Sequence, residues 1–136
     1  MNAIDLVFST DRFNLSKVEA HFVNPCCFGE DLAAWIRGKL LERGVGAFEP
    51  YQEDWGWELQ AGFEKNAYYL GVGGNSDDGV SNRGEWRIII EKRRSVWDRL
   101  AGRGRIARDD RMVRLVEEIL ASQPDFHDIH REKDET

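Results

Sequence analysis

The chain has 136 residues, 41% of them hydrophobic and 32% charged, with a formal charge of −6. That length suits one domain able to bury a core of its own, without a metal or a disulfide framework. The composition excludes a disordered acidic tail and a fibrous repeat, and no run approaches the roughly 18 apolar residues of a membrane span.

Charge is segregated along the chain. Residues 1–91 carry 8 basic and 15 acidic side chains, residues 92–114 carry 9 against 3, and residues 115–136 carry 2 against 7. The molecule as a whole should repel a polyanion while its middle segment attracts one. The only cysteines, Cys26 and Cys27, are adjacent. Neighbouring residues rarely meet ordinary disulfide geometry, so free thiols are expected. The start, MNAIDLVFSTDRF, has acids at Asp5 and Asp11 and no basic stretch before an apolar core. A signal peptide is therefore not expected, and a cytoplasmic location is the default.

In chain order, Ile4 to Ser9 reads as a strand with Leu6 and Phe8 on one face. Val18, Phe22 and Val23 suggest a short helix or an irregular packed segment that ends at Asn24-Pro25. A helix follows over FGEDLAAWIRGKLLERG, with Leu32, Ala33, Ile36 and Leu40 in one arc and Trp35 at its edge. Glu30 and Asp31 favour its N-terminus and Gly44 stops it; Gly38 in its middle suggests close packing on that side. DWGWELQAGFE then alternates as a strand, placing Trp55, Trp57, Leu59, Ala61 and Phe63 on one face. A turn at Lys65-Asn66 leads to AYYLGVG, with Tyr68, Leu70 and Val72 inward. GGNSDDGVSNRG reads as a mobile hairpin loop, before EWRIIIEKR with Trp86, Ile88 and Ile90 inward. One helical turn around Trp97 is expected next. A second helix capped by Asp109 or Asp110 should bury Met112, Val113, Val116, Ile119 and Leu120, and FHDIHRE could add a last strand. The expected fold is α+β: an antiparallel meander in the order β-α-β-β-β-α-β, with two helices packed on one face. Residues 1–136 are expected to form a single domain, frayed from about residue 131.

The acidic tryptophan stretch is the most unusual local feature. Glu49 to Glu64 hold five acids and no base, with Tyr51, Trp55 and Trp57 among them. Glu53, Asp54, Trp55, Trp57 and Glu58 could bind a cationic or carbohydrate ligand by cation–π attraction and stacking. The competing structural reading puts both indoles in the core, because residues two apart on a strand share a face. Glu53-Asp54 as a catalytic or metal-binding carboxylate pair faces the same geometric obstacle. His21, His127 and His130 fit no zinc motif and read as surface or hydrogen-bonded residues. Cys26-Cys27 ahead of a helix could make a nucleophile, yet His21 is the only base nearby in sequence, and small packing residues explain the pair as well. No cofactor, metal or catalytic constellation is expected.

The basic segment, with Arg93, Arg94, Arg99, Arg103, Arg105 and Arg108 around Trp97, could contact phosphates and stack on bases. The net −6 and the acidic flanks oppose nucleic-acid binding, and those arginines could instead face an acidic surface of the protein or of a partner.

FVNPCCFGEDLAAWI at 22–36, QEDWGWELQAG at 52–62 and EWRIIIE at 85–91 together resemble a group of small bacterial proteins. These share the start STDRFN, an NPxCFGxDLA helix entry and an EDWGW strand entry. The matching residues are Asn24, Pro25, Cys27, Phe28, Gly29, Asp31 and Leu32, then Glu53, Asp54, Trp55, Gly56 and Trp57. The resemblance implies a bacterial source and a single-domain form, and no mechanism, because no activity is established for that group.

These readings favour a non-enzymatic, accessory or immunity-like domain that binds another protein. The alternatives are a small-molecule or carbohydrate site at 53–58, binding or hydrolytic, and nucleic-acid binding through 92–114.

Overall fold

The computed structural model describes residues 3–23 and 27–132. The Asn24-Pro25 stop, Cys26 and the tail beyond Glu132 lie outside the described residues. The elements run β1 (Ala3–Thr10), α1 (Glu30–Glu42), β2 (Gly46–Ala47), β3 (Tyr51–Glu53), β4 (Gly56–Phe63), β5 (Asn66–Ser76), β6 (Gly84–Lys92), α2 (Val96–Leu100), α3 (Arg111–Ala121) and β7 (His127–Arg131). The fold is α+β.

All strand pairs are antiparallel, and the sheet order is β2-β4-β5-β6-β1-β7, with β3 also pairing β4. The expected meander is β4-β5-β6. Two short strands beyond the expected set, β2 and β3, share the outer edge of β4. The chain returns so that β1 lies between β6 and β7.

The alternating pattern fixes the register. Trp57, Leu59 and Ala61 of β4, Tyr68, Leu70 and Val72 of β5, Trp86, Ile88 and Ile90 of β6, and Ile4, Leu6 and Phe8 of β1 are buried in one core. A one-residue slip would turn every one of them to the opposite face. α1 closes this face with Leu32, Ala33, Ile36 and Leu40, and α3 with Met112, Val113, Val116, Ile119 and Leu120. Between the helices Phe8 stacks on Phe126 at 4.8 Å, while Phe13 meets the edge of Trp86 at 6.1 Å. Arg12 lies 4.6 Å above the Phe126 ring and pairs with Asp125. That guanidinium holds the Asp125 carboxyl below its usual range.

Helix ends follow elementary capping. α1 ends at Arg43, and Gly44 at φ 80° supplies the left-handed stop. Asp110 caps α3 by accepting from Met112 N and Val113 N, and its second oxygen accepts from the Tyr68 hydroxyl at 2.9 Å. One side chain thus ties β5 to the start of α3.

Several expectations are corrected. The N-terminal connection takes the irregular one of its two expected forms, but it buries Phe13 and Leu15 and leaves Val18 and Val23 exposed. Gly38 faces open space rather than a packed neighbour. The β4–β5 turn is Glu64-Lys65, both at positive φ, so that Phe63 pairs Asn66. Gly73 to Ser76 are strand rather than loop, and the connection that remains is held by Asp78. Its carboxylate accepts from Val80 N and Ser81 N, which holds its pKa far below the usual value. Arg131 is anchored rather than frayed, with two 2.8 Å bonds to Glu117 and one to Arg108 O. Cys27 is half of a disulfide, against the expectation of free thiols.

Candidate functional site

Helices cover one face of the sheet; the other carries Glu58 and Gln60 of β4, Tyr69, Gly71, Gly73 and Asn75 of β5, Glu85, Arg87, Ile89 and Glu91 of β6, and Asp5, Val7 and Ser9 of β1, by alternation with the core set. Two of these β5 positions, Gly71 and Gly73, are glycine, which leaves a trough across this face.

Trp55 forms one wall. β3 and β4 make a hairpin in which Glu53 pairs Gly56, leaving Asp54-Trp55 as its two-residue turn. Trp55 is therefore not on the strand, and it does not share the core face with Trp57. The two indoles lie on opposite sides of the sheet: Trp57 is buried, its Nε1 donating to Cys27 O at 3.1 Å, while Trp55 is 50% exposed and reaches over Gly71. A Cβ at Gly71 would stand 2.4 Å from Trp55 Cη2, so only glycine admits the ring there.

The hairpin turn also ends a ladder. β4 pairs β5 only as far as Trp57↔Val72, whereas β5 pairs β6 through Ser76↔Gly84. Gly73 to Ser76 are consequently bonded to a neighbouring strand on one side alone, among the described residues. At this step lies a cleft of about 390 Å³. Cys27, Phe28 and Trp55 border it on one side, and Glu85, Arg87 and Ile89 on the other, with Gly73, Gly74 and Asn75 between. Trp86 contributes as well. It is fully buried, and its Nε1 is a donor without a protein partner among the described residues.

The electrostatics are mixed. Arg87 is held by Asp5 at 2.8 Å and by Glu132, so its guanidinium is fixed in position and locally neutralised. Glu85 is exposed and brings the acid of the cleft. On the same face Tyr51 donates to Glu58 Oε2 at 2.8 Å. Partial burial raises the Tyr51 phenol above 10.0, with Glu58 adding to the shift and Gln60 opposing it.

Of the sequence-derived site residues, Trp55 and Cys27 border the cleft. Glu53 ends β3 and Asp54 sits in the turn, where its carbonyl oxygen is 3.2 Å from Cys27 Sγ. Glu58 is outward and bonded to Tyr51; Trp57 is core. The imagined convergence of Glu53, Asp54, Trp55 and Trp57 does not occur, because the turn splits the indoles. Gly71, Gly73, Gly74 and Asn75 fall in GVGGNSDDG, which resembles a phosphate loop by glycine content alone, and Glu85, Arg87 and Ile89 are not among the sequence-derived site residues. Their signal was the glycine run in an otherwise apolar strand opposite an alternating Glu-Trp-Arg-Ile strand.

His21 pairs with Glu30 at 2.6 Å at the surface, and His130 Nδ1 lies 2.6 Å from Asp128 O. Among the described residues no group of three or more His, Cys, Asp or Glu side chains is arranged to hold a metal ion. None of the described helices is long and apolar enough to cross a membrane. In the basic segment Arg93, Arg99, Arg103, Arg105 and Arg108 are exposed, while Arg94 folds back to donate to Arg103 O at 2.8 Å.

Comparison of the chain with protein-family profiles, with curated proteins and with solved structures finds no match.

Proposed function

We propose that the protein is a non-enzymatic recognition domain that holds a segment of a partner protein in the Trp55 cleft. The observation that carries this reading is the half-exposed Trp55 lying across a glycine trough, on the sheet face that neither α1 nor α3 covers. Aromatic anchors beside a fixed arginine are the residue types that dominate protein interfaces. Glycines in a strand permit another backbone to approach closely, and the one-sided ladder at Gly73–Ser76 offers backbone groups to an added strand. The exposed carboxylate of Glu85 at the cleft favours a cationic segment.

The test uses wild-type and Trp55→Ala proteins as baits in the same bacterial extract. A partner retained by the wild type and lost by the variant supports the reading. Equal retention by both, or turnover of a hydrolase substrate panel that Trp55→Ala abolishes, contradicts it.

A second reading is a small ligand such as a sugar stacked on Trp55, favoured by a volume within the usual range of small-molecule sites. It requires a saturable change in tryptophan fluorescence with an oligosaccharide panel, absent in Trp55→Ala.

A further inference from the structure

A second surface stands apart from the cleft. β6 ends at Lys92, and the chain reaches α3 through residues 93–110, of which Ile106 and Asp110 alone are buried. The middle of this connection is a closed loop. Ser95 caps α2 by accepting from Asp98 N at 3.0 Å. Arg103 N donates to Asp98 O at 2.7 Å, and Arg94 clasps the two ends by donating to Arg103 O at 2.8 Å and to Asp98 O at 3.3 Å. Asp98 pairs with Arg103 at 3.8 Å. Gly102 and Gly104, at φ 68° and 73°, make the return turn that side chains disfavour.

The loop therefore satisfies its own polar groups while burying no apolar residue of α2. Val96, Trp97 and Leu100 are 68, 75 and 75% exposed. Val96 and Leu100 are four apart on α2 and share a side, with Trp97 beside them. Flanking this apolar tip in the loop are Arg93, Arg99 and Arg105, all exposed and none in an ion pair among the described residues. Residues 92–108 carry seven cationic side chains and one acid, on a chain of net charge −6.

We infer that residues 93–105 dock the protein peripherally on an anionic lipid surface: Val96, Trp97 and Leu100 enter the interface, and the flanking arginines meet lipid phosphates. The chemistry distinguishes the possible occupants. A nucleic acid would use Trp97 and the arginines but leave the two aliphatic side chains in water. A protein partner would have to supply an apolar pocket for a protruding tip. A bilayer offers both an apolar layer and anionic headgroups, and tryptophan favours that boundary. The net negative charge elsewhere orients the molecule with this loop toward the surface and makes binding depend on anionic lipid.

The test is co-sedimentation with vesicles of phosphatidylcholine alone and of phosphatidylcholine with about 30% phosphatidylserine, a mimic of an anionic leaflet. Binding to the anionic vesicles and none to the neutral ones is expected. Trp97→Ser with Leu100→Ser should lower the partition coefficient about tenfold or more, and Arg99→Glu with Arg105→Glu should do the same. All four positions are exposed, so the circular dichroism and thermal midpoint of both variants should match the wild type. Absence of binding to anionic vesicles, or wild-type binding by either double variant, overturns the inference. So does tighter binding to a single-stranded oligonucleotide that Arg99→Glu abolishes and Leu100→Ser leaves intact. Trp55→Ala should bind vesicles like the wild type, which separates this surface from the cleft.

Discussion

Asp110 joins three backbone or side-chain donors at a single buried carboxylate, and its removal should be costly in a way that depends on Tyr68. Oδ1 accepts from Met112 N and Val113 N, and Oδ2 from the Tyr68 hydroxyl. Losing an N-cap costs about 1 kcal/mol. Leaving a buried hydroxyl unpaired costs a further ~1–3 kcal/mol. Asp110→Ala should therefore destabilise by about 2–4 kcal/mol. Tyr68→Phe alone should cost about 1 kcal/mol, the loss of one hydrogen bond. In the Tyr68→Phe background Asp110→Ala forfeits only the cap, so the two changes should couple by about 1–3 kcal/mol. Asp110→Asn keeps a cap acceptor and offers an amide donor to the hydroxyl, and should cost under about 1 kcal/mol. Urea unfolding followed by circular dichroism, at constant m-value, reads all four variants. Equal losses from Asp110→Ala in both backgrounds, or a loss from Asn as large as from Ala, would refute the shared-carboxylate mechanism.

Gly38 lies mid-helix with nothing near its missing Cβ, so Gly38→Ala should raise unfolding free energy by about 0.5–1 kcal/mol in the same assay. Gly71→Ala should displace the Trp55 ring, since the added carbon would lie 2.4 Å from Cη2. The expected readout is a red-shifted Trp55 emission with at most about 1–2 kcal/mol of destabilisation, because the indole is half exposed already. Burial, and then the bond to Asp110, pushes the Tyr68 phenol well above its ordinary 10.0. The unfolded chain loses that proton first, so the contribution is complete below pH 10.0 and is lost as pH rises through the folded value. Stability measured above pH 10.0 should therefore fall more steeply in the wild type than in Tyr68→Phe.

Periodicity was sufficient for the core. The arc Leu32, Ala33, Ile36, Leu40 and the alternating sets of β4, β5 and β6 are buried as their spacing implies, because a two-sided element has one way to hide its apolar residues. Periodicity failed at Trp55 for a local reason. Alternation from Asp54 onward is satisfied on paper by Trp55, but the chain reverses at Asp54-Trp55 to form the β3–β4 hairpin, and a turn has no strand parity. The Gly73-Gly74 run misled in the opposite direction. Its composition signals a loop, yet a Cβ at Gly74 would sit 2.5 Å from Trp86 Cε3, so the strand needs glycine to pass over that ring. The first error concerns a local reversal of the chain, and the second a close contact between residues apart in sequence, which composition does not encode. The basic segment was legible as charge, but the outward presentation of Val96, Trp97 and Leu100 depends on the Arg94 clasp and is visible only in three dimensions.

The recognition surface is tested most directly by amide hydrogen exchange on the complex with whatever partner the wild-type bait retains. Protection gained at Trp55–Glu58, Gly73–Ser76 and Glu85–Ile89, and lost when the bait carries Trp55→Ala, is the expected result. Protection gained only on α1 and α3, with these three segments unchanged, would contradict it.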